Sequence, residues 1–190
     1  GADATLTGTA ARLDGLTATG TGTVAVTALE STLAANLSNI NATTTLTAAI
    51  NTGTGTVTLA AGANLADAAV TIANTAGTLN VDAGTLGTAS FAVGANATLT
   101  GTAAQLTTLT ATGTGTVAVT ALEGAVTADL SGLTTTAVTA DVAAPADISG
   151  ANISTVKVLT FGSNAITMSS EQHDALITVD AANAIDGTGT

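Results

Sequence analysis

The sequence predicts an all-β fold: a β-solenoid, parallel β-helix-like, built of irregular repeats with one or two short helical turns. Three observations favour this fold class. Residues 1–30 recur almost unchanged at 94–123, which is typical of repeat architectures. Threonine alternates with small apolar residues over long stretches, which indicates half-buried strands. The chain has two Phe and no Trp or Tyr, so its core must be thin and aliphatic.

The duplication suggests how the chain is organised. The two copies differ only at Asp3/Asn96, Arg12/Gln105, Asp14/Thr107 and Gly15/Thr108. A repeated and nearly uniform unit favours one continuous array over two separate globules. We therefore expect a single repeat array over residues 1–190, with unit one at 1–93, unit two at 94–165 and a partial third unit at 166–190.

Two long stretches show strict alternation, Leu16–Leu29 and Leu109–Ala121. Alternation predicts a β-strand with one packed face and one face in water. In the first stretch the outward side chains would be Thr17, Thr19, Thr21 and Thr23. In the second, Ala111 and Gly113 would lie on the packed side, and Thr112 and Thr114 outside.

Shorter strands are expected between these stretches, separated by Gly-, Asn- and Ser-containing turns. They are Thr56–Ala60, Val70–Ala73, Thr78–Val81, Ser90–Val93, Val138–Val142 and Val156–Phe161. Many short strands fit either a solenoid or a β-sandwich. The shortage of large side chains favours the solenoid, because sandwich cores are about 10 Å thick and need bulky fillers.

A related opening element occurs three times, beginning at Thr9, Thr102 and Ser169. In the second and third occurrences Gln105 and Gln172 follow three residues later, which is the spacing of a capping box. Each element is predicted to form a helical turn that leads into a strand, with the third forming a short helix at Ser169–Ala175.

Composition excludes several classes of function. The formal net charge is −11, and Arg12 and Lys157 are the only basic residues besides one histidine. Binding to nucleic acid requires clustered Lys and Arg, so we expect no nucleic-acid partner. No uncharged apolar run approaches the length of a membrane span, and the chain has no cysteine for a disulfide.

The segment TLTGTAAQLTTLTATGTGTVAVTALE, followed by ADLSG, resembles repeats of very large secreted bacterial surface proteins. Such proteins include S-layer-like proteins and adhesin stalks that type I systems export. The resemblance implies an extracellular or cell-surface structural protein, often a β-solenoid. The calcium-binding nonapeptide GGxGxDxUx of many such proteins does not occur in the chain.

Few residues could support chemistry. His173 lies between Ser169 and Asp174, but a triad is defined by geometry rather than by closeness in sequence. A single His without Cys argues against zinc. Calcium needs only oxygen ligands, and the acidic candidates for such ligands are Asp129, Asp141, Asp147, Asp180 and Asp186. We interpret most of these as turn residues, so no catalytic, cofactor-binding or metal residue is assigned and calcium stays an alternative.

The sequence therefore predicts a non-enzymatic extracellular or bacterial cell-surface protein that forms a filament, stalk or surface layer. Since we recognise no polar cap at either end of the array, end-to-end association into a homo-polymer is expected. The alternative is a binding module, ice-binding or adhesive, that uses its Thr-rich strand faces. No cofactor and no transmembrane segment are expected.

Overall fold

The computed structural model describes residues 3–29, 35–40, 45–50, 55–73, 76–124, 127–178 and 184–187. Its strands are β1 (Thr5–Gly8), β2 (Thr23–Val26), β3 (Thr45–Ile50), β4 (Thr56–Thr58), β5 (Ala69–Ile72), β6 (Thr78–Asn80), β7 (Ser90–Val93), β8 (Thr98–Gly101), β9 (Thr110–Val119), β10 (Leu133–Asp141), β11 (Ala146–Asp147), β12 (Val158–Gly162), β13 (Ile166–Thr167) and β14 (Ala184–Gly187). The helices are α1 (Ala10–Leu13), α2 (Ala103–Leu106) and α3 (Ser170–Thr178).

The fold is a β-solenoid, as predicted. Within the described residues, twelve strands form one sheet whose order runs β1-β2-β3-β5-β7-β9-β10-β12-β14, and β4, β6 and β8 form a second column that joins it at β9. The paired strands run parallel, which excludes the β-sandwich alternative because hairpin-connected sandwiches are antiparallel. Thr5 pairs with Thr23, which gives a coil of 18 residues, and Val158 pairs with Ala184, which gives a coil of 26 residues.

The core is a thin column of aliphatic side chains stacked coil upon coil. Val70 pairs with Phe91, which pairs in turn with Ala111, and all three are buried. The small side chain of Ala111 thus lies next to the ring of Phe91. Because neighbouring coils stack at the short spacing of paired strands, a Phe fits in this column only beside a small residue. The thinness of this core also explains why the chain has so few aromatic residues.

A buried leucine or isoleucine begins a four-residue turn in successive coils. The turn closes when the N–H of the residue three positions later donates to the carbonyl of this residue, as for Leu65 and Ala68 at 3.0 Å. The turn-opening residues in this ladder include Leu13, Leu37, Leu65, Leu86, Leu106, Leu130 and Ile153, and Ile148 opens a turn of the same kind after β11. This ladder was not recognised in the sequence, although the spacing of leucines followed by an apolar residue three positions on could have revealed it.

The short strands were predicted well. Ser90–Val93 has the predicted bounds, and the other five lie within the predicted segments or overlap them. Strand β10 is longer than predicted because its first half pairs with β9 as well. Pro145 lies outside the strands, immediately before β11.

The long alternating stretches differ from each other in the structure. Leu109–Ala121 contains the ten-residue β9, whereas only Thr23–Val26 of Leu16–Leu29 is a strand. The sequences are nearly identical, so the difference comes from their neighbours. Thr110–Gly113 pairs with β7 of the preceding coil, while the corresponding residues of the first copy make only an isolated bridge at Ala18.

One face assignment was wrong. Ala111 is buried and Thr112 and Thr114 are exposed, as predicted, but Gly113 is exposed. Its φ of +118° and the register shift in the β9–β10 pair beside it turn the strand between two faces of the coil. Glycine is required there because its φ lies in a region that L side chains rarely adopt.

The predicted helical turns are present. In α3 the Ser169 N–H donates to Gln172 Oε1 at 2.8 Å, and the Gln172 N–H donates to Ser169 Oγ at 3.2 Å, so this is a complete capping box. In α2 the Gln105 N–H donates to Thr102 Oγ1, whereas Thr9 makes no side-chain cap bond. Among the residues that the structure describes, no helix has the length and apolar character needed to cross a bilayer.

Candidate functional site

The outer face of the β4-β6-β8-β9 column carries threonines in register. Thr56 pairs with Thr78, Thr78 with Thr98, and Thr98 with Thr116. Parallel strands lie about 4.8 Å apart, so these four side chains form a straight rank across four coils. Thr56 is exposed and the other three are half-buried. The rank is polar and uncharged.

A second rank two residues along is less regular. Thr58 pairs with Asn80, Asn80 with Thr100, and Thr100 with Ala118. The Thr100 hydroxyl lies 3.4 Å from the Leu79 carbonyl of the preceding coil, so part of its hydrogen-bonding capacity is used within the protein. The column therefore presents one complete rank and one interrupted rank of hydroxyls.

The predicted Thr ladder of the first copy is not a flat strand face. Thr17, Thr19 and Thr21 are exposed, as predicted, but they precede β2 and only Thr23 lies in a strand. The counterparts of Thr17, Thr19 and Thr21 in the second copy are Thr110, Thr112 and Thr114, which are exposed and lie within β9. In the described structure, the regular hydroxyl array is thus the one that runs across paired strands, and not the one along the first copy.

Ser169, His173 and Asp174 do not assemble into a triad. His173 Nδ1 lies 3.5 Å from Asp174 Oδ1, and both side chains are largely exposed. The Ser169 hydroxyl accepts the cap bond from Gln172, and its backbone carbonyl accepts a bond from the His173 N–H. The three side chains thus serve a helix start and a solvated surface, and their arrangement offers no activated nucleophile.

The acidic candidates lie apart in the described part of the chain. The Asp129 and Asp147 carboxylates accept bonds from the N–H groups of Ser131 and Ser149, at 3.1 and 3.0 Å, closing local turns. These serines hold the pKa of each carboxyl below its usual range, chiefly through their side-chain hydroxyls. Asp180 lies outside the described residues, and of Asp186 only the backbone is described. No group of three His, Cys, Asp or Glu side chains among the described residues is placed to hold a metal ion.

The turns of Asp129 and Asp147 look alike in sequence but occupy different ladders. Asp129 bridges to Asn152 of the next coil, whereas Asp147 belongs to β11 and pairs with Thr167. Asn152 forms the same kind of turn, with the Ser154 hydroxyl 2.9 Å from its Oδ1. Asp and Asn are thus interchangeable here, which indicates a structural role for these carboxylates.

One cavity lies between α3 and the turn that follows Ala151. It has a volume of about 220 Å³, and its lining includes Ile153, Val156 and Leu176 together with Lys157 and Glu171. No motif in the sequence predicted this cavity. Lys157 and Glu171 are not within ion-pair distance in the described structure. The other polar lining residues, Asn152, Ser154 and Gln172, already form turn and cap hydrogen bonds, so the described cavity presents no constellation of reacting groups.

Comparison with known proteins gives no relative. No protein family matches the sequence, and neither a curated protein nor a solved structure matches the chain.

Proposed function

We propose that the protein is an extracellular structural protein, at a bacterial cell surface, that builds a filament, stalk or surface layer by stacking β-coils. The observation that carries this proposal is the continuity of the parallel ladder. One sheet of twelve strands runs from β1 in the first described coil to β14 in the last. Each added coil lengthens the rod and repeats the same contacts, which is how solenoids build length.

The surface and composition support a scaffold rather than a catalyst. The outward residues of the stacked strands are mostly Thr, Ala and Ser, and the hydrogen-bonding groups of Asp129, Asp147 and Ser169 are used in local turns and caps. The resemblance of the TLTGTAAQL repeat to secreted surface proteins supports the extracellular location.

Negative-stain microscopy and sedimentation of the purified chain test this proposal. We expect rods whose length grows with protein concentration and whose width stays constant. Compact particles of one size at every concentration would contradict a filament-forming role.

The complete Thr rank favours a second candidate function, the binding of a periodic surface such as ice. Thr98→Tyr would disturb the rank from its outer side, away from the core. If the rank binds ice, the parent chain shows thermal hysteresis and Thr98→Tyr removes it. A parent chain without hysteresis at millimolar concentration would exclude ice binding.

A further inference from the structure

The cavity beside α3 lies where a helix replaces a turn. In the second copy, α2 ends at Leu106, whose carbonyl accepts from the Leu109 N–H at 3.2 Å and so closes a turn. Helix α3 instead continues over nine residues, Ser170–Thr178. Because a helix bonds its backbone groups to one another, α3 cannot continue the hydrogen bonds that join successive turns. The cavity of about 220 Å³ lies between this helix and the turn at 151–157.

Gln172 replaces one of the missing bonds between turns. In a regular coil, the carbonyl of Ala128 accepts from the backbone N–H of Asn152 in the next coil, at 2.7 Å. Ala151 holds the same place one coil later, and there the donor is the Gln172 side-chain Nε2, also at 2.7 Å. A side-chain amide thus fixes α3 against the turn at this point.

A second missing bond is not replaced. In regular coils the N–H of the turn-opening residue donates to a carbonyl of the next coil, as Leu65 does to Thr85 and Leu130 to Asn152, both at 3.0 Å. The corresponding N–H of Ile153 has no hydrogen-bond partner among the described residues. Ile153 is only 5% exposed, and it lines the cavity. Buried N–H groups without a partner are rare, so this one indicates that an acceptor belongs in the cavity.

Leu86 provides a comparison for Ile153. It precedes α2, and its N–H also has no partner in the part of the chain that the structure describes. After the single turn of α2, however, the bonds between coils resume at once, because the Thr108 N–H donates to the Asp129 carbonyl at 2.8 Å. The two positions therefore share an unpartnered N–H, and they differ in the cavity that adjoins Ile153.

Lys157 and Glu171 give the cavity one charged group of each sign. Lys157 is the only Lys in a chain whose formal net charge is −11. Neither side chain forms an ion pair with the other or a side-chain hydrogen bond within the described structure. The rest of the lining that is not already hydrogen-bonded is apolar and consists of Ala151, Ile153, Val156, Ala175 and Leu176.

These groups match the parts of an aliphatic α-amino acid, and we propose that the cavity binds one. The ligand carboxylate accepts from the Lys157 ammonium and the Ile153 N–H, and the ligand ammonium pairs with Glu171. Its branched side chain fills the space lined by Val156 and Leu176. An apolar cavity of about 150 Å³ holds benzene, so 220 Å³ has room for a side chain such as that of leucine.

The charges favour a zwitterion over a simple fatty acid. A carboxylic acid without an amine would leave Glu171 facing a like charge, in a chain that is already strongly acidic. An amine without a carboxylate would leave the Lys157 ammonium and the Ile153 N–H without an acceptor. This binding function is additional to the structural role proposed above and does not depend on it.

Isothermal titration calorimetry with leucine tests the site. We expect saturable binding to one site per chain, with a Kd of about 1 mM or below. Isocaproate is leucine without the ammonium, and isoamylamine is leucine without the carboxylate. Each should bind about tenfold more weakly than leucine or worse, since hydrogen bonds to charged groups are the strong ones. Glycine should also bind more weakly, because it leaves the apolar part of the cavity empty.

Two variants remove the charges of the cavity one at a time. Lys157→Met keeps an unbranched stem and Glu171→Gln keeps the shape of the side chain, and each should weaken leucine binding about tenfold or more. Glu171→Gln should at the same time strengthen isocaproate binding, a reversal that general damage to the fold would not produce. Arg12→Gln and Glu123→Gln make the same changes of charge at exposed residues elsewhere and should leave both affinities unchanged. Circular dichroism establishes that each variant is folded.

Hydrogen exchange measured by NMR locates the ligand. Leucine should slow the exchange of the Ile153 amide and leave that of the Leu86 amide unchanged. Binding that slows neither amide, or both equally, would mean that the ligand lies elsewhere and overturns the site. No saturable heat up to about 10 mM leucine, tenfold above the expected Kd, overturns the proposal. Isocaproate or isoamylamine that binds the parent chain as tightly as leucine would refute the assignment of an amino acid.

Discussion

Gly20 and Gly113 provide a matched test of how stacking constrains this sequence. They occupy the same place in the two copies, and their φ values are +123° and +118°. A Cβ added at Gly20 would meet nothing within 4 Å, whereas a Cβ added at Gly113 would overlap the carbonyl oxygen of Val93 in the preceding coil. The two Gly→Ala variants therefore share a backbone effect and differ in one steric contact.

The magnitudes follow from these two effects. Holding an alanine at such a φ costs about 1–3 kcal/mol, and the smaller entropy of the unfolded chain returns about 0.4–1 kcal/mol. Gly113→Ala must also displace β7 from β9, which costs a further ~1–3 kcal/mol. Because the first two contributions are common, Gly113→Ala should destabilise the protein more than Gly20→Ala by about 1–3 kcal/mol.

Urea unfolding followed by circular dichroism gives the two free energies of unfolding. Hydrogen exchange locates the damage, because repeat arrays can open locally and depart from two-state behaviour. We expect Gly113→Ala to lower the protection of the amides in β7 and β9, and Gly20→Ala to leave them protected. Equal destabilisation by the two variants, with no loss of protection at β7, would refute the role assigned to the Val93 carbonyl.

Three further predictions follow from residues that the duplication pairs or the turns repeat. Leu99→Ala should lower the free energy of unfolding in urea by about 2–5 kcal/mol, because Leu99 is fully buried. Its counterpart Leu6 is 46% exposed, so Leu6→Ala should lower it by less than about 1.5 kcal/mol when the chain is monomeric. Equal losses would mean that Leu6 is covered in solution. Thr108, with a φ of +60°, stands where the first copy has Gly15 with +65°. Thr108→Gly relieves about 1–3 kcal/mol of backbone strain against about 0.4–1 kcal/mol for the larger entropy of the unfolded chain, so it should raise the thermal midpoint, and a lower midpoint would contradict this. The pKa values of Asp129 and Asp147 are lowered in the folded state, so the two carboxylates contribute stability above about pH 4 that is lost as the pH falls through their folded-state pKa values. The double variant Asp129→Asn, Asp147→Asn should therefore show a smaller fall in thermal midpoint between about pH 4 and lower pH. An equal fall in the parent and the variant would exclude these carboxylates as the source of the acid sensitivity.

Local chemistry made several elements predictable from the sequence. The capping box at Ser169 and Gln172 depends on side chains three residues apart, and the structure forms both of its bonds. Ser90–Val93 is bounded by turn residues and alternates cleanly, so its limits were readable. The solenoid itself followed from duplication and a core without large rings, because only closely stacked coils can bury side chains so small.

Other features depend on which coil lies beneath a residue, and the sequence of one segment does not contain that information. The strand predicted at Leu16–Leu29 shortens to β2, although the nearly identical segment in the second copy is a ten-residue strand. Gly113 was placed on the packed face by its parity, yet the strand turns at this position beside the register shift with β10. Parity fails wherever a strand passes from one face of a coil to the next.

The candidate site was only partly predictable for the same reason. The sequence suggested ranks of outward threonines, but it placed them in one strand at Thr17–Thr23. The regular rank runs across strands, through Thr56, Thr78, Thr98 and Thr116. These residues lie between 18 and 22 positions apart, with unequal spacing, so their alignment appears only once the register of each coil is known.

The four differences between the duplicated segments show which features the fold requires. Asp14 and Thr107 differ chemically, yet Asp14 Oδ1 accepts the Asn36 N–H at 2.8 Å and Thr107 Oγ1 accepts the Asp129 N–H at 3.0 Å. Both side chains satisfy the first amide of the turn in the next coil, which would otherwise need another partner. The fold thus requires an acceptor at this position rather than a particular residue. Arg12 and Gln105 differ instead in charge: the Gln105 side chain donates to the Asp82 carbonyl of the preceding coil, whereas Arg12 is exposed, so the fold does not require this bond in both copies.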